Sequence, residues 1–88
     1  KADVNAKDDI YGWTALMLAA VNGHLDVVKY LVKHKADVNA KDDDSRTVLM
    51  FAAKDGHLDV VEYLVEKLNE RNINWWEQMD NRGRSVFN

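Results

Sequence analysis

Two decapeptides carry the same alternation of apolar and polar positions. Residues 23–32 read GHLDVVKYLV and residues 56–65 read GHLDVVEYLV, thirty-three positions later. Leu25, Val27, Val28, Tyr30, Leu31 and Val32 are apolar, and only Asp26 and Lys29 interrupt them. The spacing Leu25, Val28, Leu31, Val32 is that of a helix, and the period-two alternation of a half-buried strand is missing. A second apolar face lies beside the first, so the helix needs cover on two sides. Asp26 and Asp59 fall in the first turn, where negative charge suits the helix dipole.

The preceding segments, TALMLAAVN at 14–22 and TVLMFAAKD at 47–55, predict a shorter helix before each of these. Thr14 and Thr47 are candidate N-caps. Gly23 and Gly56 stand where glycine ends helices. The expected first helices cover 15–22 and 48–54, and the second helices 25–34 and 58–68. Each of the four lies below the ~12–15 residues that an isolated helix needs, so helix must pack on helix and pair on pair. Ala19, Ala20, Ala52 and Ala53 permit the close approach.

Between residues 14–32 and 47–65, fourteen of nineteen positions are identical. The differences are Ala15/Val48, Leu18/Phe51, Val21/Lys54, Asn22/Asp55 and Lys29/Glu62. Residues 1–9, KADVNAKDD, recur at 35–43 with an offset of thirty-four, so one extra residue lies within 7–13. Asp9 and Gly12 have the grammar of a type I turn, first and fourth positions respectively. Asp42 with Ser45, and Asp80 with Gly83, vary that theme. Each turn predicts a short hairpin-like connection. A fixed period of this size marks a repeat array.

These residues resemble the ankyrin repeat. Asp9, Gly12, Thr14, Leu16, Ala19, Ala20, Gly23, His24 and Leu25 carry the likeness, followed by Ala36, Asp37, Val38, Asn39 and Ala40. The second copy repeats it, and coverage runs over about residues 1–68. The resemblance implies an all-α solenoid of two helix-turn-helix pairs joined by short β-hairpin-like loops. Repeat boundaries are expected near 3–35 and 36–69, with a partial third repeat at 70–88, all within one domain. Met17 and Met50 replace the histidine that ties neighbouring hairpins in the family, and Lys35 replaces the glycine after the second helix. A left-handed Lys35 costs about 1–2 kcal/mol. Residues 72–74, Asn-Ile-Asn, look like a worn Asp-Val-Asn, and no helix is expected in the third repeat. The chain reads as a piece of a longer array.

Composition narrows the function classes. Net charge is −3, which implies no general affinity for polyanions. There is no cysteine for a disulfide framework or a thiolate metal site. No apolar run approaches the ~20 residues of a membrane span. No signal peptide follows Lys1, and an intracellular, cytoplasmic setting is expected. Ser45, Ser85 and the threonines are the only candidate nucleophiles, without a partner constellation, so no enzyme is expected. No phosphate loop or dinucleotide fingerprint is present, and no cofactor is expected. His24, His34 and His57 with Asp26 and Asp59 do not supply the convergent ligands of a metal site. The Asp42-Asp43-Asp44 run lacks the spacing and distal glutamate of a calcium loop.

The resemblance implies a non-enzymatic protein–protein interaction scaffold that binds through hairpin tips and the concave first-helix face. Those positions are Ile10, Tyr11, Trp13, Val21 and Asn22 in the first copy. In the second they are Asp43, Asp44, Arg46, Lys54 and Asp55. Tyr and Trp are enriched in interface hot spots. Trp75 and Trp76 are expected to divide roles, one buried beneath the last helix and Trp76 exposed to a partner. A second reading comes from another resemblance. Residues 9–23 look like a nucleotide-binding repeat of the oligoadenylate-activated ribonuclease, with Trp13 placed to stack on a base. Leu18 and Asn22 depart from the acidic and aromatic residues expected there. Open apolar faces at both ends predict self-association, by end-to-end stacking or by exchange of the C-terminal segment with its Trp75, Trp76, Val86 and Phe87.

Overall fold

The structure is a computed structural model and describes residues 3–79, with side chains through Glu77. Five helices follow one another: α1 Ala15–Val21, α2 Leu25–Lys33, α3 Val48–Lys54, α4 Leu58–Glu70 and α5 Trp75–Met79. Helix α1 packs on α2 and α3 on α4, while α1 lies along α3 and α2 touches α4. The described residues contain no strand. The second hairpin is closed by a single antiparallel bridge, Lys41 to Thr47.

Local sequence sets each helix boundary. The Oγ1 of Thr14 accepts the Met17 N–H and that of Thr47 accepts the Met50 N–H, both at 3.3 Å. Losing such a cap costs about 0.5–2 kcal/mol. Met17 also returns a contact, its sulfur accepting the Thr14 N–H at 3.4 Å. Helix α2 ends in a Schellman motif. The Ala36 N–H reaches Leu31 O at 2.9 Å, and Lys35 takes φ 78°, the left-handed value expected at a glycine position.

Helix α4 ends the same way, but later. The Ile73 N–H donates to Leu68 O and Asn72 takes φ 58°. Ile73 is therefore the counterpart of Ala36 at an offset of 73 − 36 = 37. Helix α4 has 13 residues against 9 in α2, so four extra residues add about one turn. At this offset Trp75 stands where Val38 stands in the preceding unit. This corrects the reading of residues 72–74 as a worn Asp-Val-Asn. It also corrects the expectation of no helix beyond residue 70, because α5 begins at Trp75. The Glu77 N–H donates to Asn74 O at 3.2 Å, and the Trp75 indole donates to Asn69 Oδ1 at 3.0 Å. The expectations for Asp80, Gly83, Val86 and Phe87 lie outside the described residues.

The first turn is also one residue out of the expected register. Oδ1 of Asp8, not Asp9, accepts the N–H groups of Ile10, Tyr11, Gly12 and Trp13. Asp42 does the same for Asp44 and Arg46 in the next turn. Asp8 N–H to Trp13 O and Asp42 N–H to Arg46 O close the two loops. The extra residue therefore lies between Asp8 and Trp13, at the loop tip.

Three polar clamps join the units. The Asn5 amide brackets Ala36, donating to Lys35 O at 3.2 Å and accepting the Asp37 N–H at 2.7 Å. Lys7 Nζ donates to Lys41 O at 2.7 Å. His57 Nε2 lies 2.9 Å from Val21 O, and since a carbonyl only accepts, that nitrogen carries the proton. A Cβ on Gly23 would come within 2.5 Å of the His57 ring. The core between these clamps is apolar, with Leu16, Met17, Ala20, Val28, Val48, Val60, Leu64 and Leu68 all buried. Lys29 and Glu62 line one groove between α2 and α4, as the repeat register requires, but Lys29 Nζ sits over the Tyr63 ring at 5.7 Å instead of forming an ion pair.

Candidate functional site

The first helices and the hairpins meet along one side of the molecule, around Trp13. This indole is held on three sides. Tyr11 stacks on its face with ring centroids 4.6 Å apart and 24° between planes. Phe51 meets it edge-on at 5.9 Å. Its N–H donates to Asp42 Oδ2 at 3.0 Å. The guanidinium of Arg46 lies 5.3 Å above the Phe51 ring and bonds the same Asp42 oxygen at 2.8 Å. Asp42 is buried, with a fully covered carboxylate. Burial raises its pKa, but the Arg46 N–H and guanidinium, the Trp13 indole and the Asp44 N–H together outweigh it and hold the carboxyl below the usual carboxylate range. The Tyr11 N–H and its neighbours depress Asp8 in the same direction.

An apolar hollow of about 200 Å³ opens beside this cluster, lined by Trp13, Met17, Leu18, Val21, Arg46, Phe51 and Lys54. Four of the residues expected from sequence converge here: Trp13, Val21, Arg46 and Lys54. Their charges differ in availability. Arg46 is tied to Asp42 and, at 3.5 Å, to Asp44, whereas Lys54 forms no ion pair among the described residues. Leu18, 45% exposed at the rim, and Met17 and Phe51 in the wall belong to the site but were not among the expected residues. Leu18/Phe51 is one of the five positions at which the copies differ, and that variation was the available signal.

The remaining expected residues lie elsewhere. Ile10 is 74% exposed at the first loop tip, so it does not pack on the adjacent hairpin. Tyr11, half exposed, accepts the Asp43 N–H at its carbonyl, which joins the two tips. Asp44 is committed to Arg46. Asn22 turns its side-chain amide back to Leu18 O at 2.9 Å, and Asp55 follows α3 as its C-cap. Trp76 is 45% exposed on α5 and meets Trp75 edge-on, away from the hollow. Among the described residues no group of three His, Asp or Glu side chains is placed to hold a metal ion, and no helix is long and apolar enough to cross a membrane.

Helix pairs stacked in register, with a groove built from the first helices and loop tips, define a helical repeat scaffold. A family model described as ankyrin repeats in three copies matches residues 1–75, and the chain belongs to that family. Such repeats are generally protein–protein interaction modules and generally lack enzymatic activity. The chain is 48% identical over 40 residues to the ankyrin repeat and SAM domain-containing protein 6 of Rattus norvegicus, covering 46% of this chain and 4% of that protein. It is 51% identical over 45 residues to alpha-latrocrustotoxin-Lt1a of Latrodectus tredecimguttatus, covering 51% of this chain and 3% of the toxin. It is 55% identical over 42 residues to the mitochondrial disaggregase of Homo sapiens, covering 48% of this chain and 6% of that protein. The chain thus spans a small part of each of these relatives.

Proposed function

We propose that this chain is a protein-interaction module whose partner lays an apolar side chain into the hollow between α1 and α3 and sets a carboxylate against Lys54. The observation that carries the reading is the contrast within the hollow. Its apolar wall is assembled from both units and held by Asp42, while one cation at its edge is left free. An interface anchor of this kind excludes water from a well-packed apolar centre and places charge at the rim, where it steers and selects. Tyr11 and Ile10 extend the surface along the loop tips, and Asp43 and Asp44 make its far edge acidic. Base stacking on Trp13 is the weaker reading, because Tyr11 already covers one face of the indole and Asp42 takes its N–H.

The test is selection of a displayed random-peptide library on the intact chain. Selected peptides carry a large apolar residue near Asp or Glu, lose binding to Leu18→Glu, and are replaced by basic peptides when the selection is repeated on Lys54→Glu. Peptides indifferent to both substitutions, or no enrichment at all, would overturn the assignment. Quenching of Trp13 fluorescence by adenine oligonucleotides would support the nucleotide reading instead.

A further inference from the structure

The two units supply an internal comparison, because equivalent residues sit in unequal surroundings. Val27 is 43% exposed and its counterpart Val60 is fully buried. Ala15, Tyr30 and Leu31 are likewise more exposed than Val48, Tyr63 and Leu64. On the opposite side the inequality reverses. Leu58 is 66% exposed where Leu25 is half-buried, and Met50, Val61 and Val65 are more open than Met17, Val28 and Val32. The first set faces away from the second unit and the second set faces away from the first. What covers the face of Val48, Val60, Tyr63 and Leu64 is therefore the surface carrying Met17, Leu25, Val28 and Val32.

The chain carries that covering surface twice. Met50, Leu58, Val61 and Val65 repeat Met17, Leu25, Val28 and Val32 without a change of residue type. The receiving face is repeated with Val27 and Tyr30 unchanged and only Ala15 smaller than Val48. Charge agrees. Inside the chain, Lys29 lies in a groove with Asp59, Glu62 and Glu66. Stacked one unit further, Glu62 of one copy meets Asp26, Lys29 and Lys33 of the next, two ammonium groups against one carboxylate, so a net attraction is kept although Asp26 opposes it. His24 completes the match. Its counterpart His57 donates to Val21 O, whereas His24 has no side-chain hydrogen bond among the described residues.

We infer that the Ala15, Val27, Tyr30 and Leu31 face is a docking surface for a second copy of this chain, which presents its Met50, Leu58, Val61 and Val65 face head to tail. His24 then donates to Lys54 O of the neighbouring copy, as His57 does to Val21 O within one. Such an interface is heterologous, so growth continues beyond two copies. It is separate from the partner hollow, and either can fail without the other.

The experiment is sedimentation velocity on the full 88-residue chain from micromolar to millimolar concentration. The wild type grows in mass with concentration. Tyr30→Glu, which sets a carboxylate against Glu62, and Leu58→Glu, which replaces an apolar contact with a carboxylate beside Asp26, are each monomeric alone. Mixed one to one they form a dimer of twice the monomer mass, because each retains the face the other lacks. That rescue also shows that both variants are folded. A wild type that stays monomeric throughout overturns the inference. So does a mixture that stays monomeric while both variants keep wild-type circular dichroism, or association that survives in Tyr30→Glu alone.

Discussion

The indole N–H of Trp13 donates to Oδ2 of Asp42, joining the loop of one unit to the loop of the next across 29 positions of sequence. The same carboxylate holds the Arg46 guanidinium and two backbone N–H groups, so one buried side chain organises the loop side of the groove. Asp42→Asn keeps the size and removes the charge, and turns an N–H₂ toward at least one donor. Hydrogen bonds to a charged group contribute about 1.5–3 kcal/mol each. Asp42→Asn is expected to destabilise the fold by about 1–3 kcal/mol in urea unfolding. Tyr11 and Trp13 should become more accessible to acrylamide quenching. An unchanged midpoint would mean that the loops are held by packing alone.

Acid should act through the same group. The folded-state pKa values of Asp42 and Asp8 lie below their unfolded values, which are near 3.9. Groups of this kind add stability above the unfolded pKa and lose it as pH falls through the folded one. Their contribution is thus level from neutral pH to about pH 5 and declines below about pH 4. Thermal melts across pH 2–7 check this. The Asp8→Asn, Asp42→Asn double variant should start lower and decline less steeply below about pH 4. An equally steep decline would assign the acid sensitivity to other carboxylates.

Gly23 and Gly56 separate backbone strain from contact between units. Both are left-handed, at φ 70° and 71°. A Cβ on Gly23 strikes the His57 ring, while one on Gly56 meets nothing within 4 Å. Gly56→Ala is expected to cost about 1–2 kcal/mol, the backbone penalty alone. Gly23→Ala should cost at least about 1 kcal/mol more, the difference arising from the displaced ring. In a His57→Ala background the two costs should converge. Persistence of the gap would locate the extra cost outside the His57 contact.

Lys35 makes the converse case, a side chain where glycine would be free of strain. Its φ is 78° and its body is exposed. Lys35→Gly is therefore expected to raise stability by about 1 kcal/mol, with Asn5 still clamping the Lys35 carbonyl. No gain, or a loss, would show that the lysine stem compensates by packing.

The parts of the fold legible in the sequence were those that repeat. Thr14, Thr47, Gly23 and Gly56 each announce a backbone requirement through residue type, Lys35 does so only through its place in the repeat, and the helices α1 to α4 fall within a few residues of expectation. Register at the loop tip was less legible because Asp8 and Asp9 are the same residue. The offset of thirty-four equates Asp8 with Asp42, and the geometry of four backbone N–H groups selects Asp8. The α5 helix was hidden by α4, whose added turn moves every later residue past its expected counterpart. At the groove, Trp13, Val21, Arg46 and Lys54 were readable as variable, outward positions. Which cation stays free was not, because that depends on Asp42 and Asp44 reaching Arg46 through space.

The added turn in α4 also sets a limit on assembly. One turn lengthens the helix by about 5–6 Å, so its far end overshoots while its first two turns stay level with α2. A copy stacked on α3 and α4 would find the helix layer in step and the loop layer out of step. The Asn5 clamp shows what is lost, since Asn39 makes no corresponding bond to the peptides around Asn72 and Asn74. The molecule contains the equivalent of a dislocation in a crystal. Helices transmit order across it and loops do not, so the contact proposed between copies would rest on the helix layer, with its apolar face, its charges and the His24 bond, and would gain nothing from the loops.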